Sequence, residues 1–324
     1  MNIPVLIEEK VKKEINDFCK SLPKEPQELY EPMRYMLLLG GKNLRPSLLL
    51  LTCKMLGGKI NDAVPPAIAI ELFHNFTLIH DDVTDNSPLR RGKPTVYKKW
   101  NLNVALLSGD ALLIKSYQEL SKTPAKYLAQ IFQLFNEAAL KVCEGQQFDM
   151  NYEKQIKVTI DDYLKMISMK TAALFSASMG MGAILAGASK SDCNKMKIVG
   201  ESLGMLFQLK DDMLDVFGES AQTGKQIGGD IIQDKKTFLL LKAFELAKGK
   251  TKAEITLLIG NTEISPAEKV QRVKKIYEVL GVEEIANKQM EMYYAKAKKS
   301  LASIKTPEKD ILLALTGTLL ERKK

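Results

Sequence analysis

The chain has 324 residues, 45% hydrophobic and 27% charged, with a formal net charge of +8. That balance is ordinary for a soluble globular protein, and the length holds either two average domains or one large helical core. A single tryptophan and the lack of finger or RNA-binding signatures exclude a nucleic-acid platform. Four scattered cysteines with only two histidines argue against zinc and for a reducing cytoplasm.

From the N-terminus, acidic residues arrive too early for a signal peptide. Residues 5–20 and 27–39 read as amphipathic helices. Gly40-Gly41 breaks the second, and a new helix starts near Pro46, a residue suited to a first turn. Lys42 and Arg45 lie three residues apart at that start, either as solvated cations or as an anion seat. Pro65-Pro66 then opens a helix that ends in Leu-Ile-His-Asp-Asp-Val-Thr-Asp, residues 78–85. On a helix Asp81 and Asp82 both neighbour Asp85, and three crowded carboxylates mark a solvated helix end or a seat for a divalent cation. Glu71-x-x-His74 resembles a di-iron motif. It has no second copy, because His80 lacks a glutamate three residues ahead. His74 lies two turns before Asp81, nearly on its face.

A basic loop with Arg90-Arg91-Gly92 follows, offering forked donors for phosphate oxygens. Residues 101–120, 125–150 and 157–189 read as three further helices. No proline falls between residues 125 and 265, and no period-2 alternation appears, so helices run throughout. Thr171 to Ser189 carries no charge, but its alanines, glycines and serines suit a buried helix better than a bilayer span. No transmembrane segment is expected. Residues 204–217 then repeat the acidic pattern as Phe207-Gln208-x-x-Asp211-Asp212-x-x-Asp215. Two copies favour the metal alternative. The Gly-rich run behind them has the wrong spacing for a P-loop, leaving Lys225, Asp230 and Lys235 as polar neighbours. Residues 238–324 read as structural helices. With no repeat or linker, the chain is expected to be a single all-α domain over 1–324.

The ordered series Gly-Gly-Lys-x-x-Arg-Pro at 40–46, His74, Asp-Asp-x-x-Asp at 81–85, Arg90-Arg91-Gly92 and Ser-Gly-Asp at 108–110 continues beyond residue 110. It adds Gly-Gln at 145–146, Lys170-Thr171, Phe-Gln-x-x-Asp-Asp-x-x-Asp at 207–215, Gly-Lys-x-x-Gly-x-Asp at 224–230 and Lys235-x-Thr237. In this order the motifs resemble the trans-isoprenyl diphosphate synthases, the polyprenyl synthetase family. Asn43, where the family often has arginine, and Gln233-Asp234, where many members have glycine before the lysine, depart from its pattern.

The resemblance implies a helical bundle around a central cavity, with the two aspartate clusters facing each other. It implies a cytoplasmic homodimer that condenses isopentenyl diphosphate with an allylic diphosphate. Asp81, Asp85 and Asp211 would hold about three magnesium ions, supported by Asp82, Asp212 and Asp215. Arg90, Lys170, Lys225 and Lys235 would bind the allylic diphosphate, and Lys42, Arg45, His74 and Arg91 the isopentenyl diphosphate. Thr171 and Gln208 would face the allylic cation. Phe76, five residues before the first cluster, with Thr77 and Phe73 beside it, implies a geranylgeranyl product, with farnesyl diphosphate as the alternative. A class I terpene cyclase fits poorly because Asp215 stands where a hydroxyl residue belongs. A non-catalytic subunit fits poorly because both clusters are whole.

Overall fold

The computed structural model describes residues 3–218, 228–304, 306, 310–312, 314 and 317. Among these the chain is all-α apart from one hairpin of two-residue strands. The first helices are α1 (Ile3–Ser21), α2 (Gln27–Leu38), α3 (Leu44–Met55) and α4 (Ile60–Thr84). The hairpin strands β1 (Leu89–Arg90) and β2 (Lys93–Pro94) lead into α5 (Val96–Lys99), α6 (Leu102–Leu120) and α7 (Ala125–Lys154). Then come α8 (Ile160–Ile167), a π-helical turn (Ser168–Ala172), α9 (Ala173–Leu185) and α10 (Lys190–Phe217). The remaining helices are α11 (Gly229–Ile232), α12 (Phe238–Leu246), α13 (Gly249–Leu258), α14 (Pro266–Val279) and α15 (Val282–Ala302).

The chain resolves into two compact units, and α7 and α10 contribute residues to both. One comprises Met1–Glu137, Leu174–Lys197 and Ile304–Lys309; the other comprises Ala138–Ala173, Ile198–Ser303 and Asp310–Lys324. In the first, α4 packs along α6 and beside α3, and α1 and α2 lie outside them. α9 supplies Leu174, Phe175, Met179 and Met181, all nearly inaccessible. The uncharged stretch is therefore buried, and among the described residues no helix is long and apolar enough to cross a membrane. In the second unit, Tyr163, Leu206, Leu209, Met213, Phe238 and Tyr277 belong to a single core in which α12 packs on α8 and α15.

Two elements differ from the sequence expectation. α4 begins at Ile60, a turn before Pro65-Pro66, and both prolines lie inside it. The carbonyls four residues earlier belong to Asn61 and Asp62, at a helix start that water can reach, so the missing N–H groups are tolerated. The expected helix over 157–189 is three segments, because a π turn interrupts it around Lys170. Such one-turn bulges redirect side chains and are frequent at functional sites.

Candidate active site

In the first unit the end of α4 sets Asp81, Asp82 and Asp85 in consecutive turns. Asp82 is 1% exposed, while Asp81 and Asp85 are half-exposed. Arg90 on β1 forks over the buried carboxylate, donating from Nε at 2.8 and 2.9 Å to its two oxygens, with Nη2 2.7 Å from Oδ1. Burial pushes the Asp82 pKa up from its ordinary value, against the pull of Arg90. The hairpin makes this reach possible. Arg91 and Gly92 both have positive φ, 53° and 73°, as a two-residue turn matching strand twist requires. Ser87 N–H donates to the Asp82 carbonyl at 3.0 Å and ties the loop to the helix. A guanidinium has five donors, so Arg90 can hold Asp82 and still meet a phosphate oxygen.

Arg91 donates to the Gly40 carbonyl, which brings it to the loop before α3. Arg45, in the first turn of α3, lies over the Phe175 ring at 4.6 Å and places Nη1 3.1 Å from His74 Nε2. Arginine only donates, so Nε2 accepts and the proton sits on Nδ1. Burial pushes the His74 pKa well below its ordinary value, and the charges of Arg45, Arg91 and Arg90 add to this. His74 is therefore a neutral support for Arg45 rather than another cation. Burial also lowers the Arg45 pKa to about 10, opposed by Glu71. Glu71, 4% exposed and bonded to Asn75 Nδ2 at 2.9 Å, has its pKa pushed up by burial, and the charges of Arg45 and Arg91 oppose that push.

Lys42 is exposed on the same loop and lines a pocket of about 300 Å³ with Glu8, Lys12 and Ser47. Asn43, which precedes α3, has φ 44°. Left-handed backbone favours asparagine over most side chains, which is a physical reason for the departure from arginine.

In the second unit the end of α10 repeats the pattern. Asp212 is 4% exposed, and Asp211 and Asp215 are half-exposed. Tyr163 on α8 donates its hydroxyl to Asp212 Oδ2, and Gln208 Nε2 donates to Oδ1 at 3.0 Å. Thr171 in turn donates to Gln208 Oε1 at 2.9 Å. Burial pushes the Asp212 pKa well above its ordinary value, and the nearby Asp230 adds to this. Asp215 Oδ2 accepts from the Asp230 N–H at 3.0 Å, and its carbonyl accepts from Gly228 at 2.7 Å. It thereby anchors the segment leading to Lys235.

Lys170 projects from the π turn, with Nζ 2.6 Å from Asp149 Oδ2. A methyl group on Gly145 would overlap the Lys170 backbone, so the glycine lets α7 and the π turn meet backbone to backbone. Lys225 lies outside the described residues. Lys235 sits on a turn whose preceding residue, Asp234, has φ 55°. Left-handed backbone there accounts for the glycine common in the family. Here Lys269 at 2.7 Å and the Gly260 N–H at 3.1 Å hold the aspartate instead. Lys236 turns the other way, onto the carbonyls of Tyr152, Glu153 and Gln155 at the end of α7. Thr237 accepts from Leu240 N–H at 3.5 Å as the cap of α12.

Below the first cluster Phe76 meets Phe73 at 5.6 Å, and Phe73 packs edge-on against Phe135 at 5.4 Å. Thr77 turns its hydroxyl back to the His74 carbonyl at 2.8 Å. Three partners were missed from sequence: Glu71, Asp149 and Tyr163. Glu71 carried a signal only as part of Glu71-x-x-His74, and Asp149 only by lying three residues after Gln146.

Among the described residues no three carboxylate, imidazole or thiol groups gather as a protein-only metal cage would require. Half-exposed aspartate oxygens instead fit magnesium, which takes one or two carboxylates and completes its shell with water and substrate phosphate. Within each unit, then, aspartate oxygens that suit a hard cation occur together with cationic side chains on a helical scaffold. The chain belongs to the polyprenyl synthetase family, whose model matches residues 26–280. A geranylgeranyl diphosphate synthase of Sulfolobus acidocaldarius is 39% identical over 259 residues, 78% of each chain. A solved geranylgeranyl pyrophosphate synthase is 38% identical with TM-score 0.92, covering 100% of both chains. A polyprenyl synthase from Caulobacter crescentus, solved with calcium and isoprenyl diphosphate, is 27% identical with TM-score 0.90, covering 99% of this chain and 98% of its own.

Proposed function

We propose that the protein is a prenyltransferase that condenses isopentenyl diphosphate with allylic diphosphates to geranylgeranyl diphosphate. The supporting observation is the repeated pattern of a buried, anchored second aspartate between half-exposed first and fifth ones. Asp81, Asp85 and Asp211 would hold about three magnesium ions, with Asp82, Asp212 and Asp215 fixing their surroundings. When bound, magnesium supplies charge neutralisation of the departing diphosphate. Arg90, Lys170, Lys225 and Lys235 bind that diphosphate, and Asp149 orients Lys170. Lys42, Arg45 and Arg91 bind isopentenyl diphosphate, with His74 and Glu71 positioning the guanidinium groups. Loss of the diphosphate leaves an allylic cation beside Thr171 and Gln208, and the isopentenyl double bond attacks it. The released diphosphate takes the proton.

Phe76, backed by Phe73 and flanked by Thr77, closes the path of the growing chain at twenty carbons. Farnesyl diphosphate is the next alternative. We place the enzyme in the cytoplasm and read residues 1–324 as one catalytic domain, since the family match runs through both compact units. Exposed Leu102, Leu106, Leu107 and Ile114 along α6 suit a second copy of the chain.

Incubation with isopentenyl diphosphate, magnesium and five-, ten- or fifteen-carbon primers tests this function. The expected product from each primer is all-trans geranylgeranyl diphosphate. Cyclised hydrocarbons would identify a cyclase, and no product a non-catalytic subunit. Phe76→Ala is expected to lengthen the product, and an unchanged product would remove Phe76 from the floor.

A further inference from the structure

His80 has no part in the diphosphate chemistry, yet its side chain makes contacts on two helices. Its ring lies 4.7 Å from that of Phe76, one turn earlier on α4, in a T-shaped contact. Its Nε2 donates to the Leu106 carbonyl on α6 at 3.2 Å and lies 3.7 Å from Asp110 Oδ1. A carbonyl can only accept, so the proton sits on Nε2, opposite to His74. Between these residues, Gly109 leaves the space that the imidazole fills. A methyl group there would overlap ring atoms Nε2 and Cδ2. Ser108, fully buried, bonds back to the Ala105 carbonyl at 3.1 Å and keeps this turn of α6 in place. The Ser-Gly-Asp motif thus forms a socket for one histidine. On its other side Phe76 leans on Phe73, which is 1% exposed and backed by Phe135. The Phe76 ring is gripped between a fixed imidazole and a fixed aromatic layer.

We propose that His80, seated in the Ser108-Gly109-Asp110 socket, is a positioning residue that determines product length by fixing the Phe76 ring. The inference rests on Phe76 being the floor. Without the imidazole, Phe76 keeps its lower support but loses the upper one, and the ring swings aside for a longer chain. An edge-to-face contact biases such an equilibrium by up to about tenfold.

The test compares products of the wild type, Phe76→Ala, His80→Ala, His80→Gln and Gly109→Ala, with KM for isopentenyl diphosphate and half-saturating magnesium measured for each. His80→Ala and His80→Gln are expected to raise the ratio of twenty-five- to twenty-carbon product by about three- to tenfold with both constants unchanged. Glutamine can donate to Leu106 but has no ring, so its failure to restore the product identifies the ring contact. Gly109→Ala displaces the ring without removing it and shifts the product the same way, even if His80→Ala does not fold. A lengthened product from Phe76→Ala with unchanged products from the His80 and Gly109 variants would overturn the role of His80 alone. A wild-type product from His80→Gln but not His80→Ala would overturn the ring contact in favour of the hydrogen bond. An unchanged product from Phe76→Ala would overturn the floor itself.

Discussion

The two aspartate clusters bury the same carboxylate and compensate it by different chemistry. In the first, Asp82 is forked by the Arg90 guanidinium, a full positive charge. In the second, Asp212 receives two neutral donors, the Tyr163 hydroxyl and the Gln208 amide. A salt-bridged carboxylate is balanced locally. One held by neutral dipoles keeps its charge uncompensated by the protein, and burial together with the nearby Asp230 pushes its pKa well above the ordinary value, so that a proton or a cation must supply the balance. The first cluster thus compensates its buried carboxylate with a charge from the protein itself, whereas the second relies on neutral donors.

The largest effect separates the half-exposed aspartates from the buried ones. Asp81→Ala and Asp211→Ala are each expected to lower turnover by more than about a thousandfold while leaving the melting temperature near wild type. Steady-state rates with melting curves check this, and near-normal turnover in either variant would remove that residue from the metal site.

Next comes the charged partner. Arg90→Ala leaves Asp82 buried and unpaired, which costs about 3–5 kcal/mol. Urea unfolding should show that loss, and Arg90→Met combined with Asp82→Asn should recover most of it by removing both charges. Equal instability in the single and double variants would mean that Arg90 contributes packing rather than charge.

The neutral partner should cost less in stability and more in metal binding. Tyr163→Phe removes one hydrogen bond, about 1–2 kcal/mol, and raises the magnesium needed for half-maximal turnover about tenfold. A magnesium titration of initial rate distinguishes the two clusters, because the matching shift from loss of Arg90 should be smaller.

The smallest effect lies at the start of α8, which carries Tyr163. Thr159 and Asp162 form a capping box there, and the Thr159 hydroxyl holds the Asp162 carboxyl below its ordinary pKa. Its contribution is therefore present above about pH 4 and is lost as pH falls through the depressed value. Thr159→Ala should cost about 1 kcal/mol in melts at neutral pH and less at pH 3.

Much of this was legible in the sequence, because the chemistry depends on residue identity at short spacing. Asp-Asp-x-x-Asp, Arg90-Arg91-Gly92 and Lys170-Thr171 marked the residues that now sit beside one another within each unit. The partners were harder to see, because Tyr163 precedes Asp212 by 49 residues and meets it only through helix packing. The π turn at Lys170 also left no pattern, and it becomes visible only where Gly145 on α7 comes close to the Lys170 backbone. Left-handed Asn43 and Asp234 were visible as departures from the family, but their backbone gave the reason.

The most direct test of the account is consumption of isopentenyl diphosphate with farnesyl diphosphate as primer, followed with magnesium, with excess EDTA, and after magnesium is restored. One isopentenyl unit per primer should be consumed to give geranylgeranyl diphosphate, with turnover abolished by chelation and recovered with the metal. Turnover that persists under EDTA, or hydrocarbon release without uptake of isopentenyl diphosphate, would contradict it.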